Sequence, residues 1–147
     1  MIERSAAGRE LVDTNIFICA VDVSAREKQQ RAQDFVSNLT RADRIAVSVQ
    51  TLNEFYSATT RARAKLLPEY VAAEAVREMT TTALVLSLQA EDTLSAIAAV
   101  DRHGMSFWDA LLWAVAKRNG ISVIHTEDFQ HGRTVEGVTF LNPFVAQ

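Results

Sequence analysis

The chain has one cysteine, Cys19, so no disulfide can form within it. Its histidines, His103, His125 and His131, are scattered, and no Cys/His cluster has zinc-binding spacing. Both absences speak against a disulfide scaffold and fit a reducing, cytoplasmic setting. Two prolines and five glycines are all that interrupt 147 residues, without repeats, low-complexity tracts or a linker rich in Pro, Gly or Ser. Long apolar runs are missing as well. The longest, Ala110 to Ala116, is far too short to span a bilayer, and the charged leader MIERSAAGRE lacks the apolar core of a signal peptide. A soluble protein without a membrane partner is expected. Nor is there a basic surplus: 15 Lys and Arg stand against 18 Asp and Glu, a net charge of -3. That excludes a general basic surface for neutralising phosphates, but not an acidic site that meets nucleic acid through metal ions.

What is present is ample core: 48% of the residues are hydrophobic, and the length suits a single domain over residues 1–147. Leu11 and Val12 read as a short buried strand, Asp13 to Asn15 are turn and N-cap types, and Ile16, Phe17, Ala20 and Val21 recur at helical spacing. An amphipathic helix follows over Ala25 to Ala42, with Ala32, Phe35, Val36 and Leu39 inside, then a strand over Arg44 to Ser48. Ser48 suits the cap of a third helix, Val49 to about Lys65, with Leu52, Phe55, Tyr56 and Thr59 inward. Pro68 opens a fourth helix at its first position, and Leu84 to Leu88 is the next strand. Helices over Ala90 to His103 and Ser106 to Asn119 each stop at a glycine, Gly104 and Gly120. Ile121 to His125 and Val138 to Leu141 read as strands, the last at an edge. Alternating strands and helices predict a three-layer α/β/α fold around a central parallel sheet.

In such a sheet ligands gather at the carboxyl edge of the strands. Asp13 follows the first strand, Glu54 lies in the second turn of the helix after the second strand, and Asp109 lies in the first turn of a helix that runs back to the same edge. Asp128 follows the strand ISVIH. Each acid has an ordinary explanation: Asp13 as a helix cap, Glu54 as a surface acid, Ser106 and Asp109 as a capping pair, Asp128 as a turn residue. Together they repel unless a cation lies between them, and no Lys or Arg accompanies Asp13, Glu54 or Asp128 in its own motif. Oxygen ligands without nearby Cys or His favour Mg²⁺ or Mn²⁺. Arg61, Arg63 and Lys65 continue the helix of Glu54, where they suit either a polyanion or a solvated helix end. Trp108, Leu111, Leu112 and Val115 read as core, and His125 and Cys19 as structural.

The segments VDTNIF around Asp13, LNEF around Glu54, SFWDALLWAVAKRNG around Asp109 and HTEDFQHGRTVEGVTFLNPF around Asp128 resemble PIN domains, and among them the bacterial VapC-type ribonuclease toxins. The resemblance runs from about Leu11 to Phe144. It implies a parallel sheet, an acidic pocket holding one or two Mg²⁺ or Mn²⁺ ions, and metal-dependent cleavage of RNA. It also implies a cognate antitoxin partner and a homodimer. Asp13 and Asp109 match the family's direct metal ligands, Glu54 the second acid, often bound through water, and Asp128 the fourth, with Glu127 beside it as the alternative. Thr14, Asn15 and Thr126 match supporting polar positions, and Ser106 a residue beside the third acid. The leader is longer than in many relatives, which leaves open whether residues 1–10 are ordered or a disordered leader. The alternatives are a PIN-like RNA-processing nuclease outside a toxin system and a metal-binding interaction domain without turnover. An aspartyl-phosphate enzyme built on Asp13 ranks lower, because a second acid is usual two residues on and Asn15 stands there.

Overall fold

The computed structural model describes residues 4–145 apart from Ala62 and Ala64. In chain order the elements are β1 (Glu10–Val12), α1 (Thr14–Val21), α2 (Arg26–Arg41), β2 (Ile45–Ser48), α3 (Val49–Thr59), α4 (Glu69–Thr82), β3 (Leu84–Leu86), α5 (Ala90–His103), α6 (Phe107–Arg118), β4 (Val123–His125), β5 (Thr134–Val135) and β6 (Val138–Leu141). The strands form one sheet in the order β3-β2-β1-β4-β6-β5, parallel except for the β5–β6 hairpin.

Successive strand residues point to opposite faces, and here both faces are apolar. Leu11, Ala46, Leu86, Ile124 and Phe140 pack into one core with α5 and α6. Val12, Ile45, Val47 and Val85 pack into the other, with residues of α1, α2, α3 and α4. This is the predicted three-layer arrangement, with a mostly parallel sheet. β1 lies in its middle, and Val12 is in register with His125 of β4.

Several elements depart from the sequence expectation. α3 stops at Thr59 rather than near Lys65. The hydroxyls of Thr59 and Thr60 donate to the carbonyls of Phe55 (2.8 Å) and Tyr56 (2.6 Å), and the Leu66 and Leu67 amides both turn back to Thr59 O. The Thr59 carbonyl, which a continuing helix would offer to residue 63, is taken by those two amides instead. Tyr56, expected inside, is exposed. Pro68 is the N-cap rather than the first helical residue. β6 is not an edge, because the short β5 covers it through a turn in which Glu136 (φ 46°) and Gly137 (φ 85°) are both left-handed. The described part of the leader, left open by the sequence, is tied to the body of the fold. Arg9 is buried, donating to Ile45 O (3.0 Å) and Ser5 O (2.8 Å) and pairing with Asp43 (3.1 Å), while Arg4 donates to the carbonyls of Thr81 and Ala83.

One ion pair joins the two helices of the first core. Asp92 of α5, 1% exposed, accepts from Arg118 Nε (2.7 Å) and Nη2 (2.9 Å) at the end of α6, and from the Gln89 amide (2.9 Å). Removing the carboxylate strands a guanidinium and a helix N-terminal donor together. Asp92→Ala should therefore lower unfolding stability in urea by about 2–3 kcal/mol, whereas exposed Glu91→Ala should change it by under about 0.5 kcal/mol.

Candidate active site

Asp13 is where β1 gives way to α1. Its amide continues the ladder by donating to His125 O of β4 (2.9 Å), and its carboxylate caps α1 by accepting from the Thr14 amide (2.7 Å). The other carboxylate oxygen accepts from the Thr126 hydroxyl (2.8 Å) and, at 3.4 Å, from Asn15 Nδ2. Asn15 Nδ2 also lies 3.0 Å from both Thr126 Oγ1 and Asp128 Oδ2, and the Asp128 amide donates to Thr126 Oγ1 (3.2 Å). The turn after β4 is thereby tied to the start of α1. Glu54 is held by the Thr14 hydroxyl (3.0 Å) and by Gln50 Nε2 one helical turn away (2.6 Å). Ser106 caps α6: its hydroxyl accepts from the Asp109 amide (3.2 Å) and donates to Asp109 Oδ2 (2.8 Å).

Asp13, Glu54, Asp109 and Asp128 all line one cavity of about 560 Å³, together with Thr14, Asn15, Gln50, Asn53, Arg61 and Trp108. Glu127 points elsewhere, with Lys28 as its ion-pair partner and Cys19 Sγ at 3.5 Å. Of the three basic residues singled out in sequence, Arg61 alone lines the cavity. Arg63 is exposed in a turn, and Lys65 pairs with Glu69 (2.8 Å), since the helix expected to carry them ends sooner. Trp108, expected in the core, is 63% exposed at the cavity wall with its ring edge-on to Phe107. Its place in the 108, 111, 112, 115 stripe misled the reading, for the inner part of that stripe is buried and the first turn projects beyond it. Gln50 and Asn53 carry no distinctive sequence signal. A separate, mainly apolar cavity of about 300 Å³, lined by residues of α1, α2, α3 and α4, contains none of the four acids.

Burial pushes the Asp13 carboxyl up to about 6 against the hydrogen bonds from Thr126 and Thr14, and the charges of Glu54 and Asp109 add to the rise. Asp109 is raised too, by burial first and by Asp128 next, against the Ser106 hydroxyl. Buried acids that also face other acids are a poor site for an anion and a good one for a cation. The donors are all oxygen, which suits Mg²⁺ or Mn²⁺. Among the described residues no group of three or more His, Cys, Asp and Glu side chains is arranged to hold a metal by itself. A hard cation here would therefore complete its shell with water and substrate oxygens, as Mg²⁺ ordinarily does.

The family model for the PIN domain matches residues 11–136, and the chain belongs to the PIN-domain family. Among curated proteins none matches the sequence. Several solved structures share the fold. A toxin-antitoxin complex from Klebsiella pneumoniae superposes with a TM-score of 0.66 at 18% identity, covering 92% of this chain and 98% of that one. VapC20 of Mycobacterium tuberculosis, described as a sarcin-ricin loop cleaving toxin, gives 0.59 at 20% identity over 78% of this chain and 86% of its own. The DNA-bound VapBC of Salmonella typhimurium gives 0.66 at 16%, covering 92% and 98%. No helix among the described residues is long and apolar enough to cross a membrane.

The raised Asp13 carboxyl has a consequence for stability. Its folded value, about 6, lies above the ordinary 3.8. The native state thus holds the proton more tightly, and the associated stabilisation is complete below pH 3.8 and lost as pH rises through about 6. In chelator, wild type should lose at most about 3 kcal/mol more than Asp13→Asn between pH 4 and pH 7. Urea unfolding of both proteins across that range measures the difference.

Proposed function

We propose that the chain is a Mg²⁺- or Mn²⁺-dependent ribonuclease that hydrolyses RNA phosphodiester bonds, and that it is the toxin of a toxin-antitoxin pair. The observation that carries this reading is the meeting of Asp13, Glu54, Asp109 and Asp128, from four separate segments, around one cavity. Membership of the PIN-domain family and the fold shared with toxin-antitoxin structures support it.

In this reading Asp13 and Asp109 hold the cation, and Glu54 and Asp128 orient water around it. When bound, the cation would lower the pKa of water and neutralise charge developing on the phosphoryl oxygens. The chain's own contribution is alignment. Thr126 and the Thr14 amide leave the Asp13 carboxylate little freedom, Thr14 and Gln50 do the same for Glu54, and Asn15 steers Asp128. Water attack at phosphorus would leave a 5′-phosphate and a 3′-hydroxyl, without use of the ribose 2′-hydroxyl. We further propose that residues 1–147 act as one cytoplasmic domain. Its partners would be a cognate antitoxin and a second copy, for which exposed Leu94 and Ile97 of α5 offer apolar surface.

The deciding assay incubates structured and unpaired RNA with wild type and Asp13→Ala, in Mg²⁺ and in chelator. Cleavage by wild type in Mg²⁺ alone is expected, and products ending in a 2′,3′-cyclic phosphate would overturn the mechanism. Light scattering at micromolar concentration tests the second copy, which a monomer would remove.

Asp109→Asn separates a metal ligand from a helix cap, since asparagine keeps the shape and an acceptor for the Ser106 hydroxyl. In chelator the variant should melt at or above the wild-type temperature, because one repelling charge is gone. At a Mg²⁺ concentration about 100 times its Kd the wild type should gain about 2.7 kcal/mol and the variant far less. Equal displacement of the two melting curves would exclude Asp109 from the metal site.

A further inference from the structure

Glu127 and Asp128 are neighbours in the turn after β4, yet only Asp128 lines the acidic cavity. Glu127 lines another hollow, of about 250 Å³, with Cys19, Asp22 and Lys28. Both of its carboxylate oxygens are engaged there, Oε2 by the Lys28 ammonium and Oε1 by Cys19 Sγ (3.5 Å). Its amide meets Asn15 Oδ1 (3.4 Å), and the same Asn15 donates from Nδ2 to Asp128 Oδ2 (3.0 Å). Lys28 comes from the first turn of α2, where its Nζ also lies 5.1 Å from the centre of the Phe144 ring. One lysine thus stands beside two consecutive acids and is bonded to the one outside the cavity.

An ammonium on a flexible four-carbon stem can change partners when one is removed. The Lys28 pKa is raised first by the bond to Glu127, and the charge of Asp128 acts on it in the same direction. Asp128 also keeps its Oδ1 without a partner among the described residues. The other acids near Lys28 are less open to it. Asp22 Oδ1 already accepts from the Ser24 amide (3.0 Å) and hydroxyl (2.6 Å), and Glu27, adjacent to Lys28 on the helix, faces another direction. A lysine bonded to Asp128 would bring positive charge to the acidic cavity and oppose a divalent cation there. We propose that Glu127 is a positioning residue: it holds Lys28 away from Asp128 and so keeps the four-acid cavity open to a metal ion. This rests on the metal-dependent reading above and adds to it a residue that acts from outside the cavity, through a lysine. Folding alone gives the Glu127–Lys28 pair little reason to exist, since a partly exposed ion pair contributes little to stability.

Calorimetric titration of the full chain with Mg²⁺ tests this without any RNA. Glu127→Ala should bind Mg²⁺ about tenfold more weakly than wild type, because Lys28 turns to Asp128. Adding Lys28→Met should restore the wild-type affinity, since the competing charge is gone, and Lys28→Met alone should bind at least as tightly as wild type. Thermal melts in chelator establish that each variant is folded. Glu127→Gln, which keeps the shape of the side chain, replaces Glu127→Ala if the latter is not, and should shift the affinity in the same direction. Weakened binding that Lys28→Met fails to relieve would overturn the proposal, by making Glu127 a ligand or a support of the turn in its own right. Unchanged affinity in the Glu127 variant would also overturn it and leave the metal reading standing, whereas a wild type that binds no Mg²⁺ would overturn both.

Discussion

The backbone bond from the Asp13 amide to His125 O is the last rung between β1 and β4, and the geometry of the acidic cavity follows from it. One residue further along each strand, the ladder is continued by side chains: the Thr126 hydroxyl reaches Asp13, and Asn15 reaches Thr126 and Asp128. Thr126 is itself fixed from the other side, its amide donating to Leu141 O of β6. Three neighbouring strands therefore set the position of one carboxylate. A residue held in this way loses little further freedom when it takes up a ligand, which is the physical content of preorganisation.

Several acids elsewhere in the fold are neutralised by cations. Glu136 is held down to about 2 by hydrogen bonds from Lys117 and His103, Glu10 pairs with Arg44, and Asp92 is clasped by Arg118. Around Asp13 the opposite holds: burial comes first, Glu54 and Asp109 follow, and the carboxyl is pushed up. Lys28, the cation nearest the turn after β4, is engaged by Glu127 instead. Such a collection of like charges costs folding free energy, and the two apolar cores on either face of the sheet are what offset it. Acids that are both buried and raised in pKa, gathered at one rim, are a local feature of the kind that functional sites produce.

Much of this was legible in the chain because period and punctuation agree. Ala90–His103 is a helix over the expected residues, and the two-faced strands were visible as short apolar runs. The four acids could be assigned to one sheet edge because each follows a strand or lies in the first two turns of a helix that starts there. What escaped the reading depended on contacts that periodicity does not encode. The Leu66 and Leu67 amides fold back onto the Thr59 carbonyl where α3 ends, and with that went the supposed basic helix end. The β5–β6 turn is Glu-Gly, not the Asn-Gly or Asp-Gly that announces such turns, so β5 passed unseen and β6 looked like an edge. Arg9, polar in a polar leader, gave no sign that it would be buried against Asp43.

Trp108 shows how one geometric fact yields both a success and an error. α6 must return to the carboxyl edge of the sheet to deliver Asp109, and its buried stretch runs from Ala110 to Ala116. In the turn that precedes this stretch Phe107 still packs on the core, whereas Trp108 and Asp109 face the cavity. Asp109 reaches the cavity from the side of the helix opposite Phe107, and Trp108, its neighbour, lies exposed at the cavity wall. An indole left in water beside unneutralised carboxylates brings no gain to the isolated fold, since burying it would have contributed apolar area to the core. Its exposure accompanies the placing of an acid at the rim, and it puts a flat aromatic surface at the wall of the acidic cavity.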